Sequence, residues 1–212
     1  MKIHAISVGA IQTNCYVVET DLKNAVIIDC GDEAQRLLQF CRNNGLVIKK
    51  ILLTHGHFDH IGAVSGIVKE TDAGVFIHKN DSLMLTDGQL NLSYMISSEF
   101  TAIDSYTEIA DGSVISQDEL TFKAIHTPGH TSGSVCFVCG DAIFSGDTVF
   151  QGSVGRTDFP GGSFELIKNS VDKISALEGD FNIFPGHGAS TTLNIERRTN
   201  LYFGNNYNDS DF

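Results

Sequence analysis

Thr54-His55-Gly56-His57-Phe58-Asp59-His60 decides the reading of this chain. The stretch packs three imidazoles and a carboxylate into His55–His60, a donor density hard to explain unless a cation shares the lone pairs. Three later stretches repeat the design: Ala124-Ile125-His126-Thr127-Pro128-Gly129-His130, Ala142-Ile143-Phe144-Ser145-Gly146-Asp147 and Asn182-Ile183-Phe184-Pro185-Gly186-His187. Each passes from apolar, strand-like residues into a glycine and then a potential ligand. Glycine permits positive φ and close backbone approach, which lets a chain turn at a strand end and aim the next side chain inward. One site assembled from four loops follows.

Around these loops, residues 2–8, 14–19 and 25–29 read as successive strands, with Ala25-Val26-Ile27-Ile28 suited to an inner strand. Leu37, Leu38, Phe40 and Cys41 fall at helical spacing between Asp32 and Asn44, and Gly45 is placed to stop that helix. A strand ending at Leu53 leads into the histidine cluster, and a helix is expected from about His60 to Glu70. Val75–His78 reads as a strand, whereas residues 80–112 are polar and mixed, fit either for a wall beside the site or for an irregular cap. The second half predicts strands near 113–116, 120–126, 134–139, 141–145 and 181–184, with helices near 163–177 and 191–200. Strands followed by helices in both halves imply two βα halves packed sheet to sheet with helices outside. A single domain over residues 1–203 and a polar tail over 204–212 are expected.

The 212 residues are 42% hydrophobic, an ordinary composition for a globular protein. The N-terminus lacks the apolar run of a signal peptide, and no stretch reaches membrane-spanning length, so a cytoplasmic protein without a membrane partner is expected. Five cysteines, an odd and sparse set, agree with a reducing compartment. Cys136 and Cys139 lie three apart in a strand-like run, hence on opposite faces, which favours core packing over redox chemistry. A net charge of −12 argues against nucleic acid. His4, His78 and His126 sit inside strand-like segments and read as structural.

With its order and intervals, the set His55-x-His57-x-Asp59-His60, His130, Asp147 and His187 resembles the full metal-ligand set of the metallo-β-lactamase fold superfamily, over nearly the whole chain. The resemblance implies an α/β, four-layer αβ/βα sandwich with the metal site at the edge of the two sheets. It implies two divalent ions, zinc expected and iron or manganese compatible with nitrogen and oxygen ligands. By position, His55, His57 and His130 would bind one ion and Asp59, His60 and His187 the other, with Asp147 bridging them. A bridging hydroxide would attack a carbonyl, and Asp59 would also act catalytically by taking up a proton. Asp29, in Ile28-Asp29-Cys30-Gly31, could orient a ligand or simply hold its own turn.

Gly155-Arg156-Thr157-Asp158-Phe159-Pro160-Gly161-Gly162 is similar to a segment of small glyoxalase II-like thioester hydrolases and of persulfide dioxygenases. Arg156 could bind a substrate carboxylate, or pair with Asp158 to fix the loop. The hydrolase comparison implies a small-molecule thioester, S-acylglutathione or similar. The alternatives are a lactonase of the same fold, or a dioxygenase with one iron held by His55, His130 and Asp147. Metallo-β-lactamases fit less well, since they lack a bridging aspartate at the position of Asp147. Little chain follows His187 to supply the helical domain with which full-length glyoxalase II proteins hold glutathione. Acyl group, thiol carrier and oligomeric state stay open at this level.

Overall fold

Val26 and Ile28 alternate along one strand with Ala25 and Ile27, and all four are fully buried, so this strand must carry a core on each face. It is the third strand in a computed structural model that describes residues 1–95 and 100–204. β1 (Lys2–Val8), β2 (Thr13–Glu19) and β3 (Asn24–Ile28) form an antiparallel meander. After helix α1 (Ala34–Asn43), β4 (Val47–Leu52) pairs parallel to β3. Two short helices follow, α2 (Phe58–Ile61) and α3 (Val64–Glu70), and then β5 (Gly74–His78) and β6 (Thr107–Ile109) extend the parallel part.

The second half builds its own sheet. It begins with β7 (Val114–Gln117), β8 (Leu120–His126), β9 (Val135–Cys139) and β10 (Ala142–Gly146), all antiparallel neighbours. A small hairpin, β11 (Val149–Phe150) and β12 (Ser153–Val154), precedes α4 (Phe164–Ser175). β13 (Asn182–Pro185) then pairs parallel to β10, and β14 (Thr191–Thr192) and α5 (Leu193–Thr199) follow. The sheet orders are β1-β2-β3-β4-β5-β6 and β14-β13-β10-β9-β8-β7.

Three apolar clusters separate four layers, the αβ/βα sandwich that the sequence implies. Ala25, Ile27, Ile51 and Val75 of the first sheet pack under Leu37 and Leu38 of α1 and Val64 and Ile67 of α3. Val26, Ile28 and Leu52 face Phe122, Phe137 and Phe144 between the sheets. Ile125, Cys136 and Ile143 pack against Val171 and Ile174 of α4 on the far face. Each such large side chain, fully buried, contributes about 1.5–3 kcal/mol. Cys136 and Cys139 fall into different clusters, as a three-residue offset in a strand requires.

The helix expected from about His60 to Glu70 is broken. Ala63 N donates to Cys30 O at 2.9 Å, and a Cβ on Gly62 would lie 2.3 Å from Gly31 O. The turn after β3 thus wedges into the helix and divides it into α2 and α3. Gly45 takes φ +66 at the end of α1, the helix stop its position suggests. Of residues 80–112, 82–85 and 93–95 form 3₁₀ turns and 107–109 the edge strand β6. Most of the tail expected over 204–212 lies outside the described residues.

Candidate metal centre

β8 and β10 both run antiparallel to β9, and β13 runs parallel to β10, so all three end at the same edge of the second sheet. His130, Asp147 and His187 follow those ends. The end of β4 meets them there: Val135 N donates to Thr54 O at 2.8 Å, joining the two sheets where the histidine cluster begins. His57 then caps α2 in an extended conformation (φ −67°, ψ 149°), and this one-turn helix presents Asp59 and His60.

None of the four glycines before these ligands has room for a Cβ, and two of them need positive φ as well. Gly129 and Gly146 take positive φ, +140° and +48°. Gly56 and Gly186 do not, and are required for space: a Cβ on Gly186 would lie 2.2 Å from Asp147 Oδ1 and 2.7 Å from His60 Cε1.

All seven side chains converge. Three overlapping sets can each place their donor atoms within 4.8 Å of one another: His55, His57 and His130; His55, His60 and Asp147; and Asp59, His60 and His187. Asp147 spans the groups, with Oδ1 3.4 Å from His60 Nε2 and Oδ2 3.5 Å from His130 Nε2. His187 Nε2 stands 3.1 Å from Asp59 Oδ2.

The hydrogen bonds outside the cluster assign the ring tautomers. Asp29 Oδ2 accepts from the Thr54 hydroxyl at 2.6 Å and from His60 Nδ1 at 2.9 Å. The Thr54 proton being spent on Asp29, His55 Nδ1 donates to Thr54 Oγ1 at 3.2 Å. His130 Nδ1 donates to the Arg156 carbonyl at 2.8 Å. Each Nε2 is left with a lone pair facing the cluster. His55 Nε2, His57 Nε2, His60 Nε2 and Asp147 Oδ1 are buried without a hydrogen-bond partner. Orphaned acceptors at such density are costly; cations among the donors would satisfy those of His55, His60 and Asp147, while His57 meets the group through Nδ1, 2.9 Å from His130 Nε2. The residues therefore fit divalent metal.

Electrostatics favour the same occupant. Burial, helped by neighbouring rings, pushes His55 well below the ordinary histidine range and His57 down to about 3, so both rings are neutral ligands. Burial acts in the same direction on His60, but Asp59, Asp29 and Asp147 outweigh it and hold its pKa well above the usual value. Burial would likewise raise Asp59; His60 and His187 overcome it and keep the carboxyl below the usual carboxylate range. Positive charge is wanted between these groups, and a metal would compete with protons for the place.

Asp29 thus orients His60 and, through Thr54, His55. Arg156 contributes its backbone carbonyl to His130, while its side chain makes a bidentate pair with Asp158 (2.7 and 2.6 Å) and lies 3.9 Å over the Phe159 ring. The pairing with Asp158, one of the two roles open to Arg156, is formed, on a side chain that stays exposed. Asp81 escaped the sequence reading. Wholly buried, it accepts Gly133 N (2.6 Å), Thr131 Oγ1 (2.6 Å) and Gly56 N (3.2 Å), tying the first histidine loop to the loop of His130. Only its position after an apolar strand, like that of the ligands, could have signalled it. His78 and His126 stack on each other at 4.1 Å, away from the donor sets.

The donors open into a cavity of about 690 Å³, walled by Ile11, Phe58, Leu92, Met95, Phe150, Val154, Arg156 and Phe159. That volume suits a small organic ligand. Among the described residues no helix is long and apolar enough to cross a membrane.

The sequence profile of the Metallo-beta-lactamase superfamily matches residues 8–187. Hydroxyacylglutathione hydrolase GloC of Haemophilus influenzae is 35% identical over 209 residues, 95% of this chain and 98% of that protein. The crystal structure of BLEG-1 B3 metallo-beta-lactamase superposes with a TM-score of 0.89 at 35% identity, over 95% of this chain and 99% of the other. That of TTHA1623 in a di-iron-bound form gives 0.84 at 35% identity, over 94% and 99%.

Proposed function

This chain belongs to the metallo-β-lactamase superfamily, and from that premise we propose that it is a dinuclear metallohydrolase cleaving the thioester of a small thiol to a carboxylic acid and the free thiol. The observation that carries the dinuclear reading is the pair of three-residue donor sets with Asp147 reaching toward both. Likeness to a hydroxyacylglutathione hydrolase and the segment Gly155–Gly162 support a thioester as substrate.

His55, His57 and His130 would hold one ion, and Asp59, His60 and His187 the other. Divalent ions there would acidify a water and polarise the substrate carbonyl. Zinc is the expected metal; iron and manganese suit the same nitrogen and oxygen donors, and one structural relative binds two irons.

The chain's own groups do the rest. Asp29 and the Arg156 carbonyl keep the imidazole lone pairs aimed inward. Phe150, Phe159 and Met95 seat the acyl group and exclude water. Asp59 Oδ2, which accepts from Thr13 Oγ1 at 3.1 Å and faces the cavity, is placed to receive the proton released when water oxygen attacks the carbonyl carbon. As the C–O bond forms and the C–S bond breaks, sulfur leaves with the bonding electron pair and takes up that proton.

The test is metal content per chain together with turnover of S-lactoylglutathione, a lactone and a β-lactam. Two ions and thioester turnover, lost in His57→Ala and His187→Ala, support the proposal. One iron with persulfide-dependent oxygen uptake, or turnover confined to lactones or β-lactams, overturns it.

A further inference from the structure

A second cavity, about 400 Å³, adjoins the metal cavity, and the two share Ile11, Phe58 and Asp59 as a common wall. Val8, Ile61 and Phe100 give it apolar walls beside Thr13, Ser93 and Thr101, and its charged lining groups among the described residues are Asp32 and Asp59, with neither lysine nor arginine. In the metal cavity the one cationic side chain among the described lining residues is Arg156, already engaged by Asp158. The chain as a whole carries −12.

A thioester extends two arms from its carbonyl carbon. With that carbon at the donor cluster, two cavities meeting at Asp59 provide for both. The acyl arm belongs on the aromatic side, under Phe150 and Phe159. The sulfur arm then passes the shared wall of Ile11, Phe58 and Asp59 into the second cavity. Glutathione, with two carboxylates against one ammonium, would bring net negative charge into an acidic cavity, whereas a neutral, apolar thiol meets apolar walls without that cost.

Resting on the thioester reading, we propose that the cavity lined by Val8, Ile61, Phe100 and Asp32 is the subsite for the thiol portion of the substrate, and that it selects an uncharged, largely apolar thiol over an anionic one.

The experiment compares two lactoyl thioesters on the metal-loaded full chain, one of neutral N-acetylcysteamine and one of glutathione. The neutral ester should lead in kcat/KM by about tenfold or more, the scale on which one mismatched group is discriminated. Raising the salt should narrow the gap by screening Asp32, and Asp32→Lys should narrow it further. Ala10 and Thr101 line the second cavity alone and are exposed, so Ala10→Trp and Thr101→Trp can fill it from opposite sides. Both should raise KM for the neutral ester more than for the glutathione ester, and calorimetry should show weaker binding of free N-acetylcysteamine. Equal turnover, a preference for glutathione, or a preference untouched by Asp32→Lys and both tryptophans overturns the subsite while leaving the thioester reading intact. Turnover of neither ester, with a lactone or β-lactam hydrolysed, overturns the thioester reading itself, and the assigned occupant with it.

Discussion

Asp29 Oδ2 lies 2.9 Å from His60 Nδ1 and takes the Thr54 hydroxyl at 2.6 Å, so a single carboxylate fixes the tautomers of His60 and, through Thr54, of His55. Asp29 itself sits at φ +54°, in the left-handed region that aspartate and asparagine tolerate better than most residues. Asp29→Asn therefore keeps the backbone but sets an amide N–H₂ against donors. Metal affinity should fall by about 10–100-fold with the fold retained. Chelator competition measures it; unchanged affinity would remove Asp29 from the site.

Asp81→Ala leaves the Gly56 and Gly133 N–H groups without their acceptor in the interior, while the Thr131 hydroxyl keeps Ser134 Oγ at 2.7 Å. A loss of about 3 kcal/mol is expected from stranding them. Urea unfolding of metal-free protein tests this, and a change within about 0.5 kcal/mol, the scale of an ordinary surface substitution, would contradict it.

Gly186→Ala places a methyl 2.2 Å from Asp147 Oδ1 and 2.7 Å from His60 Cε1. Donors, rather than the core, should be displaced. The expected outcome is a lower metal content per chain at near-native far-UV circular dichroism. Full metal loading would show that the loop after β13 yields instead.

Glu19 is held down to about 2 by Lys23, first, and then by His4. A carboxyl depressed on folding contributes stability that is present above its unfolded pKa of about 4.3 and is lost as pH falls through the folded value. The urea midpoint of the native protein should exceed that of Glu19→Gln at pH 6, with the two converging between about pH 4 and pH 2. A gap that stays constant over that range would rule out the linkage.

Much of the fold could be read because its signals are local. The run Ala25–Ile28, the helical spacing around Leu37 and Cys41, and the Gly-ligand pairs each carry their own periodicity or turn chemistry. What escaped the reading is set by partners distant in sequence. β6 is three residues defined by pairing with β5, and β14 two residues defined by β13. The break between α2 and α3 comes from Cys30 and Gly31, on another loop. At the site the ligand types were legible from spacing. Asp81 was not, since a lone aspartate in a polar run looks like any solvated one until Gly56, Thr131 and Gly133 close around it. Arg156 shows the converse: its side chain drew the eye, yet its carbonyl makes the contact with His130.

The bond from Val135 N to Thr54 O pins the first sheet to the second beside the donors. Four of those donors ride on the loop of one sheet and three on the loops of the other, so slippage between the sheets by a single residue would pull the two sets apart. Ions held across that seam would act as rivets. Stripping them should loosen the seam, so the urea midpoint of the loaded protein should exceed that of the metal-free protein by an amount that grows with free metal concentration.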